Sequence, residues 1–125
     1  MSDSDRFSIE HVRQERLKPL LDRTVKGYGG IAHPRGWDTI VLELHAKLVA
    51  IYPEYQILQT KEKFGALRFY VRDMVGNGFA FIEETEERSK KTCENCGKPG
   101  KLRDDGHWLT TLCDDCQEDR EKARR

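Results

Sequence analysis

Four cysteines in two C-x-x-C pairs are the residues of this chain whose types and spacing most directly indicate chemistry. Cys93 and Cys96 form the first pair, Cys113 and Cys116 form the second, and sixteen residues lie between the pairs. Two such pairs about 15–20 residues apart are typical of a zinc ion bound by four thiolates. We therefore expect one structural zinc per chain. Because a closed four-thiolate site leaves no coordination position for water or substrate, it predicts structural order rather than a reaction.

Two disulfides are the alternative use of the same four cysteines. Residues 1–5 are acidic and polar, so we expect no secretory signal, and no apolar run approaches the ~20 residues that span a bilayer. We expect a cytoplasmic protein with no membrane contact, where reducing conditions favour metal binding over disulfides. A redox role would need one C-x-x-C pair in a βαβ context, which the sequence does not show.

The residues around the cysteines predict which elements carry the ligands. Residues 93–97 resemble a zinc knuckle, with a glycine directly after the second cysteine. Residues 109–112 predict a strand, and residues 113–125 predict a helix whose acidic start and basic end suit the helix dipole. A knuckle, a hairpin through Leu102 and Trp108, and a helix carrying the last two ligands is the order of a treble-clef finger. A zinc ribbon, which ends in a second knuckle, is the alternative.

The amino-terminal part of the chain predicts helices joined by a glycine-rich connection. We expect residues 1–7 to be disordered and a helix to begin at Ser8, with a break or bend at Pro19. Residues 27–36 contain four glycines and predict a connection without regular structure. Apolar residues at helical spacing then predict a helix over residues 37–52.

A β-hairpin is predicted next. Residues 55–60 and 66–71 have the composition of strands, and residues 61–65 between them predict the connection, with Gly65 at its strained position. In the second strand, alternate side chains face the core and the others form a polar and aromatic face.

A helix over residues 79–91, with Phe79, Ile82 and Glu86 along one side, completes the predicted elements of this part. We therefore expect an α+β fold, with helices packed on a short antiparallel β-hairpin and a carboxyl-terminal, four-cysteine, treble-clef-like zinc finger. The predicted divisions are a disordered start (1–7), a small α+β domain (8–91) and the finger with its terminal helix (92–125).

Composition restricts the classes of partner. Of the 125 residues, 35% are charged, against ~25% in ordinary globular proteins. The formal net charge is zero, and zinc with four thiolates would change it to about −2. Such a balance is unlike that of strongly basic proteins that coat nucleic acid through charge alone.

Three segments carry a resemblance to a known group of proteins. Residues 61–70 (KEKFGALRFY), 92–100 (TCENCGKPG) and 108–116 (WLTTLCDDC) resemble uncharacterised small zinc-finger proteins encoded by bacteriophages and prophages. The resemblance covers roughly residues 36–117. It implies no activity, but it implies a setting in the bacterial cytoplasm during infection or lysogeny.

We expect a non-enzymatic interaction module that binds a host protein or a nucleic acid, with no catalytic residues. Basic side chains beside exposed aromatic rings suit phosphate contact and base stacking, although acidic neighbours weaken the field and suit a protein partner equally. A solvated, charge-balanced surface is the alternative reading for each residue. The candidate partner-binding residues are Lys61, Lys63, Arg68, Tyr70 and Arg72 on the hairpin and Lys98, Lys101 and Arg103 in the finger.

Three other possibilities remain open from the sequence. A small treble-clef nuclease would need histidines near the finger, whereas the four histidines are scattered. A transcription or host-takeover (anti-defence) factor would use the same binding residues. A homodimer could use aromatic residues near the glycine-rich connection. The histidines are His11, His33, His45 and His107, and the aromatic residues are Tyr28, Trp37 and Tyr52.

Overall fold

The computed structural model describes residues 3–74 and 76–124, and the side chains from residue 9 onward. Strands β1, β2 and β3 form one sheet, and β4 and β5 form a separate hairpin. This arrangement confirms the predicted α+β class. In chain order the elements are α1 (Asp3–Arg16), α2 (Lys18–Leu21), β1 (Gly30–Ile31), a 3-10 turn (Arg35–Trp37), α3 (Asp38–Ile51), β2 (Gln56–Lys63), β3 (Ala66–Arg72), α4 (Gly78–Ser89), β4 (Lys101–Asp104), β5 (Leu109–Leu112) and α5 (Asp114–Ala123).

Helix α1 begins at Asp3 rather than at the predicted Ser8. Residues 3–7, expected to be disordered, are therefore helical, while residues 1 and 2 lie outside the described part of the chain. Several serines and aspartates precede Ser8, and all are residue types that favour the N-cap. Composition alone therefore does not identify the first residue of the helix.

The predicted break near Pro19 is confirmed. Helix α1 ends at Arg16, and Pro19 lies in the first turn of α2. A proline is tolerated there because the backbone N–H that it lacks would have no partner within the helix. Leu17 and Leu20 on either side of it are buried and join the core.

The glycine-rich connection contains regular structure, so the prediction for residues 27–36 is wrong in this respect. Strand β1 pairs in parallel with β2, and just beyond it the N–H of Ala32 donates to the carbonyl of Thr60 at 2.9 Å. The 3-10 turn then leads directly into α3. A two-residue strand has no hydrophobic alternation to read from sequence, since it exists only through its long-range pairing.

The β2–β3 hairpin is longer than predicted. Strand β2 continues to Lys63, through residues that were expected to form the connection. Only Phe64 and Gly65 form the turn, with positive φ angles of 56° and 81°. Positive φ at both central residues is the requirement of a type I′ turn, whose twist matches that of the paired strands.

The core lies between α2, α3, α4 and one face of the three-stranded sheet. Ile82 of α4 is buried, but Phe79, predicted on the same side of the helix, is 51% exposed, because the buried stripe runs through Gly78, Ile82, Thr85 and Ser89. The largest contributions to the core come from Leu20, Trp37, Val41, Leu44, Leu48, Tyr55, Ile57, Leu67 and Phe69.

Side chains of α4 also cover the free edge of β3. The N–H of Leu67 donates to Ser89 Oγ at 2.8 Å, and the N–H of Phe69 donates to Glu86 Oε2 at 2.9 Å. An uncovered strand edge is a template for unwanted pairing with another chain. The helix therefore both closes the core and protects the sheet.

A buried polar network fastens α1 to the start of α3. Arg13 donates to both carboxylate oxygens of Asp38, at 2.8 and 3.0 Å, and to the carbonyl of His33 at 3.0 Å. The ring of His33 lies 2.8 Å from Asp38 Oδ1 and 2.7 Å from Thr60 Oγ1. Burial alone would raise the pKa of Asp38, but the hydrogen bonds from His33 and Arg13 outweigh it and lower the pKa.

We expect Asp38→Asn to destabilise the protein by about 3–5 kcal/mol at pH 7, because it leaves the Arg13 charge without its buried partner. Urea unfolding measures the loss. Asp22→Asn is the matched control, since the exposed ion pair of Lys18 and Asp22 contributes only about 0–1 kcal/mol.

The difference in stability between the wild type and Asp38→Asn should depend on pH. Because the folded pKa of Asp38 is lowered, its stabilisation is present above the unfolded value, near pH 4, and is lost as the pH falls through the folded value. The stability difference between the wild type and Asp38→Asn should therefore shrink below about pH 4. An undiminished difference in strong acid would contradict this role.

Candidate metal centre

The four cysteine thiols converge on one point. Their Sγ atoms all lie within 4.8 Å of one another, and those of Cys96 and Cys113 are 3.6 Å apart. A disulfide needs an S–S distance of about 2.05 Å, whereas four sulfurs at about 2.3 Å from a tetrahedral zinc are about 3.8 Å apart. The chain therefore positions four cysteines to bind one metal ion, and zinc suits both their chemistry and their spacing.

Local hydrogen bonds shape the knuckle that carries the first two ligands. The N–H of Cys93 donates to the carbonyl of Lys98 at 2.7 Å, and the N–H of Gly97 donates back to the carbonyl of Cys93 at 2.9 Å. The N–H of Glu94 donates to the carbonyl of Thr111 in β5 at 2.8 Å. The last of these bonds places the knuckle beside the strand that leads to the second pair of ligands.

The second pair of ligands begins helix α5, as predicted. Cys113 is the N-cap residue, and its Sγ accepts a hydrogen bond from the N–H of Cys116 at 3.4 Å. The Asn95 side chain donates to Cys116 Sγ at 3.3 Å. Amide donors and the positive end of the helix dipole favour the thiolate form of a cysteine, which is the form that binds metal.

The thiols influence one another's ionisation. Burial would raise the pKa of Cys93, but backbone amides of Cys113, Cys96 and Asn95 outweigh it and lower the pKa to about 7. Asn95 acts to lower the pKa of Cys116, yet burial and the three neighbouring thiols raise that pKa to about 12. Cys93 therefore ionises more readily than Cys96 or Cys116, whose pKa values are raised. A cation among the sulfurs would favour their thiolate forms.

The metal-binding segment is seated on the rest of the protein by close backbone contacts. The N–H of Gly36 donates to the carbonyl of Glu94 at 2.8 Å, and a Cβ atom at position 36 would lie 2.2 Å from the carbonyl oxygen of Cys93. The buried Trp37 donates through Nε1 to the carbonyl of Thr92 at 2.8 Å. Sequence reasoning missed this contact, although a glycine directly before a large apolar residue is a pattern that permits close approach.

A second contact joins the β4–β5 hairpin to the β2–β3 turn. Thr111, which is fully buried, donates through Oγ1 to the carbonyl of Gly65 at 2.6 Å. The nearest side-chain atom to the position of a Cβ on Gly65 is Leu102 Cδ1, at 2.6 Å. The strands of the β4–β5 hairpin therefore pack against the turn of the β2–β3 hairpin.

The five hairpin residues predicted to bind a partner share one surface, which we term the outer sheet face. Lys61 lies opposite Arg68, Tyr70 opposite Gln59, and Arg72 opposite Gln56. The guanidinium carbon of Arg72 lies 5.5 Å from the centre of the Tyr28 ring. The outer sheet face is defined by Lys61, Lys63, Arg68, Tyr70 and Arg72.

The three finger residues predicted to bind a partner have different surroundings. Lys98 and Lys101 are exposed. Arg103 donates through Nε and Nη2 to the carbonyl of Leu112, at 3.2 and 3.1 Å, and through Nη2 to Asp114 Oδ1 at 2.7 Å. These contacts fasten β4 to the start of α5, so Arg103 has a structural role beside any role in binding.

The histidines occupy separate places. His11 pairs with Glu15 on α1, His33 belongs to the buried network, His45 Nδ1 lies 2.6 Å from the Tyr55 hydroxyl, and His107 is exposed. Over residues 3–74 and 76–124, the group of candidate metal ligands consists of the four cysteines alone. Trp37, considered for a homodimer interface, is fully buried and does not reach the surface.

We expect Cys113→Ser to abolish tight zinc binding and unfold the segment from residue 92 onward, while α1–α4 and the sheet stay folded. Structural zinc contributes about 10–16 kcal/mol of binding energy, which a small finger cannot replace. Elemental analysis measures the zinc, and amide NMR signals report each part of the chain. Thr110→Ser, which keeps its hydroxyl, is the control and should retain one zinc. A folded, metal-free Cys113→Ser finger would contradict the assignment.

We expect Asn95→Ala to weaken zinc binding by about 10–100-fold, because it removes a donor to the Cys116 sulfur. Competition with a chromogenic chelator measures the affinity. Asn77→Ala is the matched control, since Asn77 is exposed and makes no capping hydrogen bond at α4. Equal affinities for the two variants would show that the Asn95 contact has no effect on the metal.

Comparison of the chain with models of protein families, with curated proteins and with solved structures finds no match. None of the helices described is long and apolar enough to cross a membrane. The metal assignment therefore rests on the spacing of the cysteines and the geometry of their sulfur atoms.

Proposed function

We propose that this chain is a non-enzymatic interaction module, ordered by one structural zinc, that binds a macromolecular partner. The observation that carries the proposal is the convergence of all four thiols within 4.8 Å, in a segment seated directly on the sheet hairpin. A metal with four sulfur ligands has no open position for chemistry, so its contribution is to hold a surface.

The order of elements around the thiols supports a finger of the treble-clef type. The knuckle at Cys93 and Cys96 comes first, the β4–β5 hairpin follows, and α5 begins directly after Cys113. A zinc ribbon would end in a second knuckle rather than a helix. We therefore place the chain's finger with treble clefs.

The charge on the outer sheet face supports a binding role for it. Lys61 and Arg68 are cross-strand neighbours, and like charges in that arrangement destabilise a sheet. Within the described residues, no carboxylate lies within ion-pair distance of Lys61, Arg68 or Arg72. Glu86 and Glu87 offset part of the Arg68 charge from a distance. A basic strip without direct ion pairs, beside the exposed ring of Tyr70, suits an acidic partner, whether protein or nucleic acid.

The resemblance of three segments to phage and prophage zinc-finger proteins supplies the proposed setting. We propose that the protein acts in the cytoplasm of a bacterial host and that its partner is a host component. A transcription or anti-defence role would be a particular case of the same binding function, defined by the identity of the partner.

The proposal is tested by capture of partners on the immobilised, zinc-loaded protein, followed by cross-linking and mass spectrometry. We expect Lys61→Ala, Arg68→Ala and Tyr70→Ala combined to reduce capture of the specific partner at least about tenfold, since contact residues often contribute over 1 kcal/mol each. Zinc removal should have a similar effect.

The matched control combines Lys26→Ala, Lys122→Ala and Phe79→Ala, which remove two exposed lysines and an exposed ring elsewhere on the surface. Its capture should equal that of the wild type. Equal capture by the outer-sheet-face variant and by the control would contradict the proposed binding surface.

A further inference from the structure

A groove of about 650 Å³ lies between α1, the start of α3, the end of α4 and the zinc knuckle. Four cations line it, and none of them was among the residues predicted to bind a partner. Among the side chains that the structure describes, no carboxylate is part of the lining. The cations are Arg16, Arg35, Arg88 and Lys91.

Within the described residues, three of the four cations form no ion pair, although Glu87 lies close enough to Lys91 for their charges to interact. Arg88 pairs with Glu43, but Arg16 donates to the neutral hydroxyl of Thr39 at 2.7 Å. Arg35 and Lys91 are exposed and, in the described residues, belong to no ion pair. Gathering like charges from three separate elements is unfavourable in the free protein, and an anion in the groove would relieve it.

The lack of carboxylates among its described lining residues distinguishes this groove from its neighbours, which mix both signs of charge. A neighbouring cleft of about 640 Å³ shares Arg35 and Asn95 with it, but there Glu94 and Asp119 accompany Arg13 and Arg120. Since the whole chain has a formal net charge of zero, the concentration of cations in the groove is local.

We propose that this groove binds the sugar-phosphate backbone of a nucleic acid. The inference rests on the proposed binding role and adds the class of partner. Guanidinium groups donate in a planar fork that matches phosphate oxygens. A protein partner would need apolar or aromatic anchors, but Ile40 and Pro99 are the main apolar residues of the lining and no aromatic ring contributes. Contacts between the groove cations and phosphate groups would be independent of base sequence.

The zinc knuckle makes one wall of the groove, through Asn95, Cys96 and Gly97. Nucleic-acid binding should therefore be lost when the metal is removed. A zinc with four thiolates carries a net charge of about −2, so the cations have a competing role as counter-ions of the metal centre. Binding and zinc content must accordingly be measured on the same variants.

The experiment is fluorescence anisotropy of the zinc-loaded protein with labelled single-stranded RNA, single-stranded DNA and duplex DNA of one length. Salt is varied between 50 and 200 mM. The test variant combines Arg16→Ala, Arg35→Ala and Lys91→Ala, and the control combines Lys26→Ala, Lys47→Ala and Lys122→Ala, which are equally exposed and remove the same charge. We expect about tenfold weaker binding at ~0.1 M salt for each groove cation removed, and a salt slope smaller by about 2–3.

The control variant should bind within twofold of the wild type, about 0.4 kcal/mol. Equal losses of affinity in the test and control variants would overturn the proposal. Poly-glutamate that competes for the protein as strongly as a nucleic acid of equal charge would also overturn it, because it would indicate an acidic protein partner. Loss of zinc from the test variant would also overturn it, by assigning the cations to the metal centre. Should the triple variant fail to fold, Lys91→Ala and Arg35→Ala are measured singly.

The outcomes separate this inference from the proposed function. Nucleic-acid binding that depends on the outer sheet face and not on the groove would overturn the inference and leave the binding role intact. If no nucleic acid binds at 50 mM salt but a protein is captured through the outer sheet face, the inference is likewise overturned and the binding role is left intact.

Discussion

Four cysteine sulfurs held within 4.8 Å of one another are the constraint on which the carboxyl-terminal segment of the molecule depends. As thiolates they would repel one another, and a bound cation would offset that repulsion and join the knuckle to helix α5. Helix α5 has no buried residue of its own, and the buried apolar cluster of the finger consists of Cys93, Leu112 and Cys113. Because so small a core gives residues 92–124 little apolar burial, we expect the metal to supply much of their order.

The metal-binding segment contacts the rest of the protein at several points. Gly36 allows the knuckle backbone to approach, Trp37 donates to the carbonyl of the residue before the first cysteine, and Thr111 donates to the carbonyl of Gly65 in the turn of the sheet hairpin. We therefore expect metal removal to disturb both the basic groove and the outer sheet face. This is the role that the proposed function gives to the metal.

The sequence allowed the metal ligands, the two finger strands, α3 and the break before Pro19 to be predicted, because each depends on local spacing or backbone chemistry. It did not reveal β1 or the extension of β2 to Lys63, which depend on pairing with other strands. Phe79 was misplaced because a helix with a polar inner stripe, Thr85 and Ser89, does not show its buried face as a row of apolar residues. The basic groove was not predicted, because its residues are distant from one another in the sequence. Its cations come from α1, the 3-10 turn, α4 and the residues just after α4, and only the fold brings them together.

X-ray absorption at the zinc edge of the purified protein shows whether one zinc is held by all four cysteines. We predict one zinc per chain surrounded by four sulfur atoms at about 2.3 Å and by no nitrogen or oxygen. A first shell containing nitrogen or oxygen ligands would contradict it. So would a protein that keeps its finger folded without any metal.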